Sequence, residues 1–202
     1  MSPVPHPEPA TSTSLTTKTF GVRSVPDLGI VTTDFKSGPN VAIVQRTWGL
    51  LDRGNYYGQY FQYNEYMRVH NSFVGLAVHL ATAFGMLALS LPPIRWLLKK
   101  CVYKPGEGPA KETAKTNFVE YQAIATADTQ PLTRAFAKVR WDGSLYFLTG
   151  VLPAEAAILI LRDETVAKRL GGGLLTPAML GQPFIDRLKR AGLIFETHIM
   201  DS

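Results

Sequence analysis

The chain has 202 residues, 46% of them hydrophobic and 18% charged, with a net charge of +5. That length supports one domain with a real core but not two full-sized ones, and the apolar content excludes a disordered chain. The charges are interspersed and form no basic stripe with interleaved aromatics, which argues against nucleic-acid binding. A single cysteine, Cys101, excludes an internal disulfide framework and reads as a packing or membrane-boundary residue.

Residues 1–19 are rich in Pro, Ser and Thr and nearly devoid of large apolar side chains. Such a segment cannot offset its ordering entropy by burial and is expected to be a disordered tail, with folded sequence from about Phe20. It has neither a secretory h-region nor an arginine-rich amphipathic presequence. Val41, Ala42, Ile43 and Val44 form a short β-branched run, read as a strand continuing towards Trp48. Asp52-Arg53-Gly54-Asn55 follows as a turn. Tyr56, Tyr57, Tyr60, Phe61, Tyr63 and Tyr66 then crowd one stretch. Rings at that density suit a core edge, the floor of a substrate groove or a lipid headgroup boundary, and the core edge is the expectation.

No charged residue occurs from 73 to 91. A helix of that length is roughly 28 Å long, close to the ~30 Å hydrocarbon thickness of a bilayer. Its leucines, valines and phenylalanines favour insertion, while His79, Thr82 and Ser90 subtract from it. His79 is expected to hydrogen-bond between helices rather than to ligate, having no other His, Asp or Glu one turn away. Pro92-Pro93 must break or sharply kink the helix. Beyond it Ile94-Arg95-Trp96-Leu97-Leu98-Lys99-Lys100 combines apolar bulk with three cations, and Lys104 extends that cluster. The pattern fits a monotopic hairpin resting on a bilayer or lipid-droplet monolayer, with a full bilayer span and a buried core helix ending in an ordinary charged terminus as the alternatives. Its expected contacts are Phe73, Val74, Leu76, Leu80, Phe84, Leu87, Leu91, Trp96, Lys99 and Lys100.

Residues 103–117 read as a surface loop. Two strands follow, at 118–127 and 132–141, joined by Asp128-Thr129-Gln130-Pro131 as an antiparallel hairpin. In the second, Leu132, Arg134, Phe136, Lys138 and Arg140 alternate with Thr133, Ala135, Ala137, Val139 and Trp141, so one face is cationic and the other small and apolar. Ser144 is placed to cap a helix running to about Leu161, whose all-round apolarity predicts burial. Pro153 and Glu155 in its middle argue against a second membrane span. Thr176-Pro177 starts a helix expected to run to Arg190, closed by Ala191-Gly192. A final strand at 193–199 should join the hairpin's sheet. The sum is an α+β chain with a mostly antiparallel sheet and a hydrophobic helical insert at 73–100.

Chemistry is harder to find. His6, His70, His79 and His198 are scattered, and no CxxC, HxxxH or HExxH spacing offers a metal site. No GxSxG elbow or GxxxxGK[ST] loop is present. The glycine cluster Gly171-Gly172-Gly173 follows a helix and precedes Leu174-Leu175-Thr176-Pro177, the wrong order for a strand–turn–helix nucleotide cradle. By its residues alone the chain is a globular domain with a greasy insert and no assigned reaction.

Several stretches nevertheless resemble one family in order and spacing: FGVRSVP at 20–26, AIVQRTWGLL at 42–51, LPPIRWLLKK at 91–100, GSLY at 143–146, GGGLLTP at 171–177 and GQPF at 181–184. Together they are similar to the C-terminal part of saccharopine dehydrogenase-like oxidoreductases, the group that includes trans-acting enoyl reductases. The resemblance spans residues 20–202, read as a single C-terminal-type domain. It implies a Rossmann domain holding NAD(P) in the full-length family, and a C-terminal region supplying a substrate-side sheet and a membrane-facing segment. It also implies work in lipid or glycolipid synthesis at a membrane or lipid-droplet surface facing the cytosol. No residue here matches the family's nucleotide-binding half. The chain is therefore expected to bind no cofactor alone, and to need a Rossmann-domain partner, or a longer product, for activity. The alternative is a non-catalytic membrane or lipid-droplet surface protein.

Overall fold

The computed structural model describes residues 19–100 and 116–200. The tail reading, Cys101, Lys104 and nearly all of the loop at 103–117 lie outside the described residues. The chain divides into two compact units, Met1–Pro105 and Gly106–Ser202. Among the described residues there are six α-helices and two three-stranded sheets, every strand pair antiparallel, which is the expected α+β class.

In the first unit, β1 (Val22–Val25) and β2 (Gly29–Thr33) form a tight hairpin, and β3 (Tyr66–Arg68) pairs with β2. The hairpin turns where Asp27 and Gly29 take positive φ of 66° and 85°. This sheet was not foreseen, because β1 carries Arg23 and Ser24 and gives no clean apolar alternation.

Helix α1 (Ser37–Leu50) overturns the strand expected at 41–44. The Asp34 carboxylate accepts from the Lys36 backbone N–H at 2.9 Å, turning the chain into a helical start. Pro39 then lies in the first turn, where its missing N–H leaves no bond unmade. Three β-branched residues weaken a helix by only a few tenths of a kcal/mol each. Continuing the helix buries Thr47, Trp48 and Gly49 one turn later. The Trp48 indole N–H donates to Gly58 O at 2.8 Å. Gly54, at φ +90°, backs directly onto that ring, and a Cβ there would sit 2.4 Å from it.

Helix α2 (Ser72–Leu89) begins at Asn71, whose side chain accepts from Val74 N at 2.9 Å. Its early turns lie on the sheet. Thr32 on β2 is fully buried, its hydroxyl 2.8 Å from Gly75 O and 3.1 Å from Gly21 O. Gly75 permits the approach, since a Cβ there would lie 3.0 Å from Val22. The break expected at Pro92-Pro93 is there, and helix α3 (Pro92–Leu98) starts on the two prolines themselves.

In the second unit, β4 (Phe118–Thr126), β5 (Arg134–Asp142) and β6 (Ile194–Met200) form a sheet with β5 in the centre. The hairpin and the final strand fall where expected. Helix α4 (Leu145–Arg162) is capped by Ser144, whose hydroxyl accepts from Phe147 N at 3.3 Å. After the short α5 (Val166–Arg169), Pro177–Leu180 makes a 3-10 turn and α6 (Gly181–Arg190) follows. The single helix expected from Thr176 to Arg190 is thus interrupted, because Gly181 adopts φ +67° and ends the tighter turn.

Leu148 and Leu159 of α4 pack with Leu180, Phe184, Leu188 and Leu193 against Val119, Val139, Trp141 and Phe195 of the sheet. Burial of α4 stops there. Leu145, Tyr146, Phe147, Ile160 and Leu161 are exposed, so the expectation of a helix buried all round is corrected. Apolarity on every face is equally compatible with a helix packed on one side only. Glu155 in that helix is half-buried and accepts from Arg187 Nε at 2.8 Å, a pairing of α4 with α6.

Replacing Thr32 with Val keeps the shape and deletes the hydroxyl that joins sheet to α2. The expected loss is about 1–3 kcal/mol, read as a lower urea midpoint by circular dichroism at unchanged slope.

Candidate functional site

The α2–α3 pair carries a long run of apolar side chains that its own unit leaves uncovered. Phe73, Val74, Leu80, Phe84, Met86, Leu87, Leu89 and Leu91 are exposed along and just beyond α2, as are Trp96, Leu97 and Leu98 on α3. Of the residues expected to meet a membrane, all are exposed except Leu76, which is half-buried. Phe84 and Leu87 are each 65% exposed and Trp96 62%, values that a core helix would not show.

Three polar side chains on or just beyond α2 are hydrogen-bonded within the unit. His79 Nδ1 lies 3.0 Å from the Thr33 hydroxyl, so its bond joins helix to strand and not helix to helix as expected. The Thr82 hydroxyl donates to Val78 O at 2.8 Å and the Ser90 hydroxyl to Leu87 O at 2.6 Å. Internal bonding of this kind lowers the penalty for moving a polar side chain out of water. At the far end the Lys100 ammonium sits 3.7 Å above the Trp96 ring centroid, with Arg95 and Lys99 nearby in sequence. No Asp or Glu occurs between Glu65 and Glu107, so the segment's charge is purely cationic. By length and hydropathy, α2 and α4 are both able to cross a membrane.

The tyrosine stretch divides: Tyr56, Tyr57 and Tyr60 are exposed, while Phe61, Tyr63 and Tyr66 are half-buried, so only its second half follows the core-edge expectation. Tyr57 stacks on Phe61 at 5.1 Å and meets Tyr56 edge-on at 4.8 Å. Desolvation, and secondly the neighbouring Tyr56, push the Tyr57 phenol above its usual 10.0.

In the second unit the cationic face of β5 is neutralised by its neighbours. Lys138 pairs with Glu196 at 2.9 Å, and Arg140 with Asp142 at 2.8 Å and Glu120 at 3.4 Å. This unit has an open cavity of about 640 Å³ lined by Ile160, Ala167, Lys168, Gly171–Gly173, Leu175, Thr176, Pro177 and Leu180. Sequence reading missed it. Its signals were the three consecutive glycines beside Leu174-Leu175, noticed only for their wrong order.

Neither feature fits a dinucleotide. A pyrophosphate cradle needs a parallel strand–turn–helix, and among the described residues every strand pair is antiparallel. Gly171, Gly172 and Gly173, all at positive φ, lead out of helix α5 and not out of a strand. The cavity they border offers one cation and no carboxylate for a ribose. Among the described residues no group of three or more His, Cys, Asp or Glu could hold a metal ion.

Comparison with known proteins gives a consistent picture. The chain is 30% identical over 188 residues to a Mycobacterium tuberculosis protein provisionally named a trans-acting enoyl reductase, covering 88% of this chain and 44% of that protein. It is 29% identical over 179 residues to the trans-acting enoyl reductase of Mycobacterium bovis, covering 84% and 41%. A Mycobacterium leprae trans-acting enoyl reductase is 26% identical over 167 residues, covering 78% and 38%. The chain is homologous to part of these proteins and spans less than half of their length. No protein-family model matches it, and no solved structure matches it.

The raised Tyr57 phenol has a consequence for stability in base. Folded Tyr57 holds its proton to higher pH than the unfolded chain does. Its contribution is therefore constant below about 10 and is lost as pH rises beyond that. Tyr57→Phe should flatten the alkaline limb of the denaturation midpoint, measured by circular dichroism from pH 8 to 11; an unchanged limb counts against the burial argument.

Proposed function

We propose that this chain is the substrate-side, membrane-associating part of an NAD(P)-dependent oxidoreductase of the saccharopine dehydrogenase-like, trans-acting enoyl reductase kind. The dinucleotide is held outside the described residues, by a partner chain or by another part of a longer polypeptide, and this part alone does not transfer hydride. The observation carrying the reading is similarity across 84–88% of the chain to proteins named as enoyl reductases. Because that similarity spans well under half of those proteins, activity is assigned to the assembly and not to this chain. The antiparallel sheets support the division of labour, since they supply no phosphate-binding turn.

The exposed α2–α3 surface supports a second element of the proposal. An apolar helix followed by a proline break, a tryptophan and a cationic tip suits shallow seating in a lipid surface. The surface would be an endoplasmic-reticulum, mitochondrial or lipid-droplet one, facing the cytosol, and the chemistry would lie in lipid or glycolipid metabolism. Should hydride chemistry be absent even with a partner, the same surface supports the reading of a non-catalytic membrane or lipid-droplet protein, alone or as a homo-oligomer.

Two measurements test the proposal. Calorimetry with NADH and NADPH should give no saturable heat with the chain alone; stoichiometric binding would overturn the division of labour. In liposome flotation the chain should rise with the vesicles. Leu80→Asp combined with Leu87→Asp should reduce the bound fraction by at least roughly tenfold, given the several kcal/mol cost of two carboxylates in hydrocarbon. A chain that stays in the soluble fraction, monodisperse without detergent, rejects the membrane element.

A further inference from the structure

We propose that the cavity between the end of α4 and the start of α6 binds a single-chain amphiphile with an anionic head, such as a long-chain carboxylate. Its walls come from Ile160, Ala167, Leu175, Pro177 and Leu180, all apolar, and its volume of about 640 Å³ is that of a small-molecule site. No carboxylate lines it, which disfavours a cationic ligand. Lys168 is the one charged residue among those lining it.

Lys168 donates to Glu164 at 2.5 Å, but the two side chains are 49% and 70% exposed. An exposed pair of that kind holds its partner weakly, and an ammonium has two further N–H donors for an incoming anion. The head is thereby fixed at the Lys168 end and the hydrocarbon tail along the apolar wall.

The rim is shaped for entry of a flexible chain. Gly171, Gly172 and Gly173 present no side chains, and a Cβ built on any of them would meet nothing within 4 Å. Their positive φ of 76°, 89° and 121° keeps larger residues out. Next to lining residues in sequence, Leu161 is 82% and Leu174 81% exposed, extending the apolar surface beyond the cavity.

The test is titration of the full chain with cis-parinaric acid, followed by the rise in probe fluorescence. Saturable binding of one probe per chain is expected. Ile160→Asp, at a half-exposed wall position tolerant of change, should weaken it by at least tenfold. Lys168→Gln should weaken it several-fold, and the methyl ester of the probe should bind the unaltered chain more weakly than the acid. Leu87→Asp on α2 should leave the affinity unchanged.

Affinity that survives Ile160→Asp but falls with Leu87→Asp would overturn the proposal, placing the probe on the helix pair. Equal binding of acid and ester, together with indifference to Lys168→Gln, would overturn the anionic head. Neither the nucleotide titration nor the flotation experiment bears on this cavity.

Discussion

The polar contacts that tie helix α2 to its sheet lie at one end of the helix, and they are small. The buried Thr32 hydroxyl beneath Gly75 O and Gly21 O joins it to β2, and the His79 bond to Thr33 repeats the link one turn later. Only glycine at 75 lets the two backbones come so close to Val22 and Val69. Beyond His79 the helix has no comparable polar tie among the described residues, and its large side chains Leu80, Phe84, Met86, Leu87 and Leu89 are exposed. The first unit therefore behaves as a small mount for an apolar arm. Its sheet is three short strands, enough to orient a helix but too little to cover one.

The second unit solves the same problem differently. Its helices α4 and α6 are joined by the Glu155–Arg187 pair and share a core with three strands. The charged face of the sheet is closed by cross-strand pairs in register, with Glu120 opposite Arg140 and Lys138 opposite Glu196. Opposite charges directly across a ladder stabilise it and leave little net field for a ligand. The remaining space lies where the backbone is least regular, between α5 and the 3-10 turn. Loops positioned by a rigid scaffold are where binding residues concentrate.

How much of this was legible depended on whether local chemistry and tertiary packing agreed. At Asp128–Pro131 turn residues separate two alternating runs, and the hairpin is where those residues put it. Pro92-Pro93 and Ser144 mark helix boundaries by steric and capping rules that no packing overrides. At 41–44 they disagreed: the β-branched run argued for a strand, while Asp34 and Pro39 upstream had already begun a helix. The first sheet escaped notice because Arg23 and Ser24 interrupt its apolar signal and β3 is only three residues long. For α4 the composition was read correctly and the burial was not, since periodicity cannot tell a core from a surface that meets something apolar. The cavity was illegible for another reason. Its walls are gathered from 160 to 180 by a chain reversal at glycines, and no spacing rule anticipates which side chains a reversal will bring together.

The order of the second sheet bears on how the polypeptide acquires its shape during synthesis. Strand β5 occupies the middle, flanked by β4 just before it and β6 long after it. The hairpin can close as soon as β5 has left the ribosome, because only a short loop must be ordered. Its other edge stays bare while α4, α5 and α6 are still being made. Throughout that interval an unfinished ladder and a greasy helix are presented together, which is the condition under which nascent chains stick to one another.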